Sequence, residues 1–185
     1  MNKVIVIAIL SLMLGGCLED KKPSPPPKPT PQAGVVKPSV DLNALYQKYR
    51  TDRDALFQEK KWEALIELSP ELLSLTKALD KPSSYAWQLN NSGLYFIELF
   101  KERTNYATTS HNLLVLTGLA RRELRDKFKE QMRDNIGLIQ NAKSLLLNAY
   151  KMNSELPEVD EKCTATINSN LSFVSWIENF TGIAQ

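Results

Sequence analysis

The side chains that could carry nucleophilic or acid–base chemistry are few, because the 185-residue chain contains two cysteines, Cys17 and Cys163, and one histidine, His111. A serine hydrolase would use a histidine with a Gly-x-Ser-x-Gly turn, and the sequence has no such turn. It also lacks the Gly-x-x-x-x-Gly-Lys phosphate loop, a Cys-x-x-Cys pair and the His-Glu-x-x-His zinc helix. These features favour a protein that is not an enzyme and uses no cofactor or metal. A cell-wall or lipid-processing enzyme centred on His111 is the less favoured alternative.

Cys17 stands in a context that indicates another chemistry. Lys3 precedes an apolar stretch that is shorter than the ~20 residues needed to span a bilayer and is typical of a signal peptide. The stretch ends in the sequence Leu14, Gly15, Gly16 and Cys17, which resembles the lipobox of bacterial lipoproteins. The resemblance implies cleavage between Gly16 and Cys17, a diacylglycerol on the Cys17 thiol and acylation of the new amino group. We therefore expect residues 1–16 to be a signal peptide and acylated Cys17 to anchor the mature chain to a lipid bilayer without spanning it.

The residue after the cysteine bears on which membrane would hold the protein. It is Leu18, whereas lipoproteins retained in the inner membrane of enterobacteria typically carry Asp at this position. By this resemblance, the outer membrane is favoured if the host is Gram-negative, and the folded part faces the periplasm.

Residues 17–40 are predicted to form a lipidated, proline-rich tether. Seven of the ten prolines lie between Lys21 and Pro38. Proline removes backbone donors and restricts the preceding residue, so this segment favours polyproline II over helix or sheet. At ~3.1 Å per residue, the tether could hold a domain up to ~70 Å from the lipid. A ligand for a proline-reading domain is the less favoured interpretation.

The net charge of +2 arises outside the predicted domain, because residues 41–185 carry 18 basic and 19 acidic side chains. A near-neutral domain gives no support for nucleic-acid binding. The local exception is the stretch from Arg121 to Arg133, which holds six basic residues. It predicts either a basic docking face or, as we favour, a solvated helix surface with pairs such as Arg122–Asp126.

Apolar residues recur at helical spacing throughout residues 41–185, so the predicted fold class is all-α, built from antiparallel helical hairpins. Asp41 is the predicted N-cap of the first helix, and Ser69 with Pro70 predicts the start of another. The third predicted helix begins at Ser83 or Ser84.

The second half of this region is predicted to hold three more helices. One long apolar stripe runs from Leu113 to Met132 and ends at a break over residues 134–137. His111 falls at or near the start of that helix. Two further helices follow, and Cys163 on the last one is expected to be a buried apolar residue because it lies on a stripe with Ile167 and Leu171. An intermolecular disulfide at Cys163 is the less favoured alternative.

Three fragments of these helices resemble the tetratricopeptide repeat. Their residues are Trp62-x-x-Leu65, Leu89-x-x-x-Gly93-x-x-Phe96 and Ala142-x-x-x-Leu146-x-x-Ala149. The first matches the opening of that repeat, the second its first helix and the third its second helix. The resemblance implies a short array of helix pairs whose concave face binds a peptide or a partner helix. An irregular helical bundle is the alternative, because the fragments do not share one register.

The function predicted from these features is a membrane-anchored lipoprotein that acts as a scaffold or adaptor. Its helical domain would bind an envelope protein or peptide in envelope, secretion or pilus machinery, since anchoring raises its effective concentration near membrane partners. The alternatives are a surface-exclusion lipoprotein that blocks an incoming machine and the enzyme centred on His111.

Overall fold

The computed structural model describes residues 41–183, and these residues form seven α-helices without a strand. The bounds are α1 Leu42–Gln58, α2 Trp62–Ala78, α3 Pro82–Arg103, α4 Tyr106–Val115, α5 Gly118–Asp134, α6 Ile136–Ser154 and α7 Glu161–Thr181. The predicted all-α class is therefore confirmed. The predicted signal peptide and tether, including Leu14, Gly15, Gly16 and Cys17, lie outside the described residues.

The first three helices form two successive antiparallel hairpins with turns of three residues. Each turn holds one residue in the left-handed conformation, Lys60 with φ 55° in the first and Asp80 with φ 50° in the second. In both turns the following residue donates its backbone N–H to a carbonyl five residues earlier. These bonds satisfy carbonyl groups at the helix C-terminus and fix the reversal of the chain.

α3 and α6 form the most extensive helix pair, although α4 and α5 lie between them in the sequence. Gly93 permits this approach, because an added Cβ would lie 2.9 Å from Leu146 Cγ and 3.2 Å from the carbonyl oxygen of Ala142. α7 packs on both helices and completes the main core. Its fully buried members include Ile97, Phe100, Phe128, Met132, Ile139, Leu146, Cys163, Ile167, Val174 and Ile177.

α4 and α5 form an arm at the edge of the main core. α4 has no buried residue, and α5 buries only Phe128 and Met132, near its C-terminal end. Five aromatic rings attach the arm to α7, with centroid distances of 5.2–6.4 Å. The rings belong to Tyr106, Phe128, Phe173, Trp176 and Phe180. The N-terminal half of α5 and the corner before it therefore project beyond the core.

Three predicted helix boundaries are tested by these bounds. Asp41 caps α1 as predicted, since its Oδ1 accepts the backbone N–H groups of Asn43 at 2.9 Å and Ala44 at 3.1 Å. The third helix begins at Pro82, one or two residues before the predicted serines. The predicted break over residues 134–137 is confirmed, because α5 ends at Asp134 and α6 begins at Ile136.

The predicted helix start at Ser69 and Pro70 is wrong, because both residues lie inside α2. The Ser69 hydroxyl donates to the carbonyl oxygen of Leu65 at 2.8 Å instead of capping a new helix. Pro70 is exposed, so the carbonyl that loses its helical donor can be solvated. A continuous buried stripe made of Trp62, Leu65, Ser69, Leu72, Leu75 and Thr76 crosses the proline and keeps the helix whole.

The predicted single helix from Leu113 to Met132 is also wrong, because the chain breaks between α4 and α5. Leu116 and Thr117 are extended, with ψ of 151° and 168°, and Gly118 takes φ 62°. Only glycine adopts that conformation at little cost, so Gly118 allows the chain to turn here.

Candidate binding groove

The candidate site is a groove between α1 and α3. Both helices pack on α2, and the rings of Phe57 on α1 and Tyr95 on α3 meet with centroids 6.3 Å apart. A space of ≈ 240 Å³ lies between the two helices. Its lining consists of Tyr46, Arg50, Arg53, Ser84, Trp87, Gln88 and Asn91. No carboxylate lines this α1–α3 groove, and both of its charged side chains are cationic.

The α1 wall places cations against an aromatic ring. Tyr46, Arg50 and Arg53 follow at helical spacing on one face of α1. The Tyr46 ring is 5% exposed and lies 5.7 Å from the Arg50 guanidinium carbon and 4.9 Å from Lys81 Nζ. These distances allow cation–π attraction, so the ring holds both charges close to the groove.

The two arginines of this wall differ in their ion pairing. Arg53 donates to Asp54 Oδ1 at 2.6 Å, and its side chain is only 15% exposed. Burial raises the pKa of Tyr95 to about 12, and the positive charge of Arg53 opposes part of that rise. Arg50 is exposed and has no carboxylate partner within residues 41–183. Arg50 is therefore the charge in the groove that can pair with an incoming carboxylate.

The α3 wall is held rigidly from behind by α7. The Trp87 Nε1–H donates to Asp160 Oδ2 at 2.8 Å, which fixes the indole ring. One turn further along α3, the buried Asn90 accepts a hydrogen bond from Asn170 of α7 at 3.1 Å. Gln88 and Asn91 then present amide groups, which both donate and accept hydrogen bonds, to the groove.

Asp160 joins three helices behind this wall. Its Oδ1 accepts the backbone N–H of Cys163 at 2.9 Å and caps α7, while its backbone carbonyl accepts Asn153 Nδ2 at 2.9 Å from the end of α6. The hydrogen bond from the Cys163 backbone, followed by that from Trp87, holds the pKa of the Asp160 carboxyl below its usual range. The ionised carboxylate thus helps to set the position of Trp87.

The residues singled out by the repeat resemblance lie in the interior and not in the groove. Gly93 of α3 contacts Leu146 and Ala142 of α6, and Leu89 and Ala149 lie in the same core. Phe96 is half-buried against it, whereas Trp62 and Leu65 belong to a second cluster with Tyr95 and Leu99.

The three repeat-like fragments do not form a regular array. The fragments lie on α2, α3 and α6. Those on α2 and α3, which begin at Trp62 and Leu89, both match the first helix of a repeat, yet α2 and α3 are adjacent antiparallel helices. In a true repeat, these two fragments would be separated by a second helix of the same unit. The arrangement that the described residues adopt is an irregular bundle of hairpins.

The structure also locates the residues that could have carried catalysis. His111 is exposed in the middle of α4, so its predicted place at a helix start is wrong, and it forms no side-chain hydrogen bond with another described residue. Cys163 is fully buried as predicted, and burial, with a smaller contribution from Asp160, raises the pKa of its thiol to about 11. Across residues 41–183, no cluster of three or more His, Cys, Asp or Glu side chains could hold a metal ion.

The basic stretch of α5 contains fewer ion pairs than predicted. The expected ion pair between Arg122 and Asp126 does not form. Asp126 Oδ1 instead lies 3.5 Å from Arg125 Nε. Arg121 and Arg122 are exposed and make no ion pair with the described part of the chain.

Sequence reasoning missed the groove itself. The signal was the spacing of Tyr46, Arg50 and Arg53 on α1 and of Ser84, Trp87 and Asn91 on α3, which places each set on one face of its helix. None of the described helices is long and apolar enough to cross a membrane. Comparison of the chain with protein-family models, with curated proteins and with solved structures finds no match.

Proposed function

We propose that this protein is a lipid-anchored envelope lipoprotein whose helical domain binds a segment of another envelope protein in the α1–α3 groove. The observation that carries the binding role is the groove, which combines an unpaired Arg50, fixed aromatic rings and free amide groups without a lining carboxylate. The anchor is supported by the lipobox-like sequence that ends at Cys17 and by the proline-rich segment after it.

The chemistry of the groove indicates the kind of segment that it would accept. A guanidinium pairs with a carboxylate through charge-assisted hydrogen bonds, and the neighbouring amides can satisfy backbone groups of a bound chain. The half-buried ring of Trp87 provides apolar surface at little cost in side-chain entropy. The partner segment is therefore expected to carry an acidic side chain or a free C-terminal carboxylate.

Anchoring would contribute to recognition through concentration. A domain held on a tether of residues 17–40 samples a restricted volume next to the membrane, so a modest intrinsic affinity produces high occupancy of a membrane partner. The scaffold or adaptor role follows from this combination of an anchor, a spacer and a binding groove.

The binding role is tested by charge reversal in cells. A photoreactive amino acid replaces Asn91 in the groove, and the crosslinked product is measured in the Arg50→Glu and Lys48→Glu backgrounds. Lys48 is the matched control because it lies on α1, pairs with Asp52 at 3.1 Å and does not line the groove. We expect Arg50→Glu to abolish the crosslink and Lys48→Glu to preserve it. Equal effects of the two reversals would show that the groove is not the binding site.

The anchor is tested separately by the Cys17→Ser variant. Metabolic labelling with a fatty-acid analogue should mark the wild-type chain and not the variant. A labelled Cys17→Ser chain would contradict acylation at this residue. The His111→Ala variant distinguishes the enzymatic alternative, since a scaffold should lose no function on this change.

A further inference from the structure

The most exposed large hydrophobic side chains of the described chain lie together at the corner between α4 and α5. Leu114 is 80% exposed, Leu119 69% and Val115 63%, and all three fall within six consecutive residues. The α4–α5 corner, defined as residues 114–119, projects from the edge of the bundle because neither α4 nor the N-terminal half of α5 has a buried residue. Gly118, at the turn, has open space around it.

The charged side chains nearest to this corner along the chain are positive. No acidic residue occurs from Thr104 to Arg122, and Arg121 and Arg122 follow the corner after Ala120, ahead of the first acidic residue, Glu123. Both arginines are exposed and without ion pairs among residues 41–183. The corner therefore presents three aliphatic side chains beside two free guanidinium groups.

We infer that the α4–α5 corner inserts into the interface of a bilayer that contains anionic lipids. Aliphatic side chains gain free energy by entering the boundary between head groups and acyl chains, and adjacent arginines pair with anionic head groups. A protein partner suits this surface less well, because specific protein interfaces bury about 800 Å² on each side and are built on broader faces than one turn. The site is separate from Cys17 and from the α1–α3 groove.

Insertion would give the domain a second membrane contact with a defined orientation. A lipid anchor at the end of a tether allows the domain to rotate freely, whereas contact at the corner places α4 and α5 against the lipid. α1 lies away from this contact, because it packs on α2 and not on α5 or α7. The α1–α3 groove would then lie apart from the lipid-contacting corner and stay open to a partner.

The test uses a chain that begins at residue 17 and carries Cys17→Ser, so that it retains every described residue without an acyl group. Val115→Cys is labelled with an environment-sensitive fluorophore. Cys163 does not compete for the label, because it is fully buried and its pKa is about 11. The probes are vesicles of phosphatidylcholine alone and of phosphatidylcholine with phosphatidylglycerol. Ser172→Cys, exposed on α7, provides the control position for the label.

We expect a blue shift of the corner label with anionic vesicles, a smaller shift at high salt and no shift of the Ser172→Cys label. The double change Leu114→Ser with Leu119→Ser should weaken vesicle binding by about tenfold or more, since burial of one leucine exceeds the free energy of a tenfold step. Leu147→Ser, at a half-exposed position of α6, should leave binding unchanged.

Several outcomes would overturn the inference. One is a corner label that does not respond to either vesicle, and another is an equal loss of binding with Leu147→Ser. Self-association that depends on Leu114 in the absence of vesicles would assign the corner to a second copy of the chain. All of these substitutions change exposed side chains, so circular dichroism should show an unaltered helical content in each variant.

Discussion

Gly93 is the position at which one added methyl group tests the packing of the whole domain. In Gly93→Ala the new Cβ would lie 2.9 Å from Leu146 Cγ and 3.2 Å from the Ala142 carbonyl oxygen. The carbonyl belongs to the backbone of α6 and cannot rotate away, so α3 and α6 have to separate. Overpacking of this kind costs ~1–3 kcal/mol, and we expect the upper part of that range.

The intrinsic helix propensity acts in the opposite direction. Alanine is favoured over glycine by about 1 kcal/mol in a helix interior, which offsets part of the overpacking. The net effect of Gly93→Ala is therefore a loss of ~1–2 kcal/mol in the free energy of unfolding. For a domain of this size, the melting temperature should fall by roughly 3–8 °C, as measured by circular dichroism.

Gly137→Ala is the matched control, because Gly137 is also helical and a Cβ added there would have nothing within 4 Å. This change should leave the melting temperature unchanged or raise it, since only the propensity acts. A second arm adds Leu146→Ala, which alone should cost ~2–5 kcal/mol by creating a cavity. The double variant should be destabilised by at least about 1 kcal/mol less than the sum of the two single variants, because the new methyl fills part of the cavity. If Gly93→Ala is as stable as Gly137→Ala, the close approach of α3 and α6 is refuted.

Three further predictions concern single positions. Asp160→Asn should lower the free energy of unfolding at neutral pH, and its difference from wild type should shrink in acid. The pKa of Asp160 is lowered in the folded state, so the stability that the carboxylate contributes is present above the ordinary aspartate pKa and is lost as the pH falls through the lowered pKa. Chemical denaturation at several pH values checks this, and a pH-independent difference would contradict it. Lys60→Gly should raise the melting temperature slightly, because a left-handed residue with a side chain costs ~1–2 kcal/mol and the added chain entropy of glycine costs ~0.5–1 kcal/mol. Gln58→Gly, at the last residue of α1, should lower it. Cys163 should resist thiol reagents in the native Cys17→Ser chain and react fully in denaturant, since at neutral pH the thiolate fraction of Cys163 is below about one in a thousand. Rapid labelling of the native chain would mean that α7 opens readily.

The helical character of the domain could be predicted from the spacing of apolar residues, but the continuity of individual helices could not. Ser69 and Pro70 have the pattern of a helix start, yet the stripe from Leu65 to Leu72 continues across them and is buried on both sides of the proline. Local chemistry and tertiary burial gave opposite indications, and burial prevailed. At Gly118 the reverse occurred, because an apolar stripe continued through a residue that breaks the helix.

The groove could be predicted even less. Its residues lie on α1 and α3, and each set has a recognisable spacing, but nothing in the spacing shows that the two sets face one another across α2. That relation depends on the two three-residue turns, which are centred on Lys60 and Asp80 and contain no glycine. The close packing of Gly93 on α6 is easier to expect from sequence, since a small residue on a buried helix is typical of a close helix crossing.

The direct contact between α3 and α6 has a consequence for local opening. Because α4 and the N-terminal half of α5 bury no residue and branch out between two helices that hold each other, they can detach without separating those helices. Amide protons of α4, which has no buried residue, should exchange with solvent through small openings of low free energy. Those in the centres of α3 and α6 should exchange only when the whole domain unfolds. The amide protons would then show two levels of protection against exchange along one continuous chain, with the boundary at the aromatic rings around Tyr106.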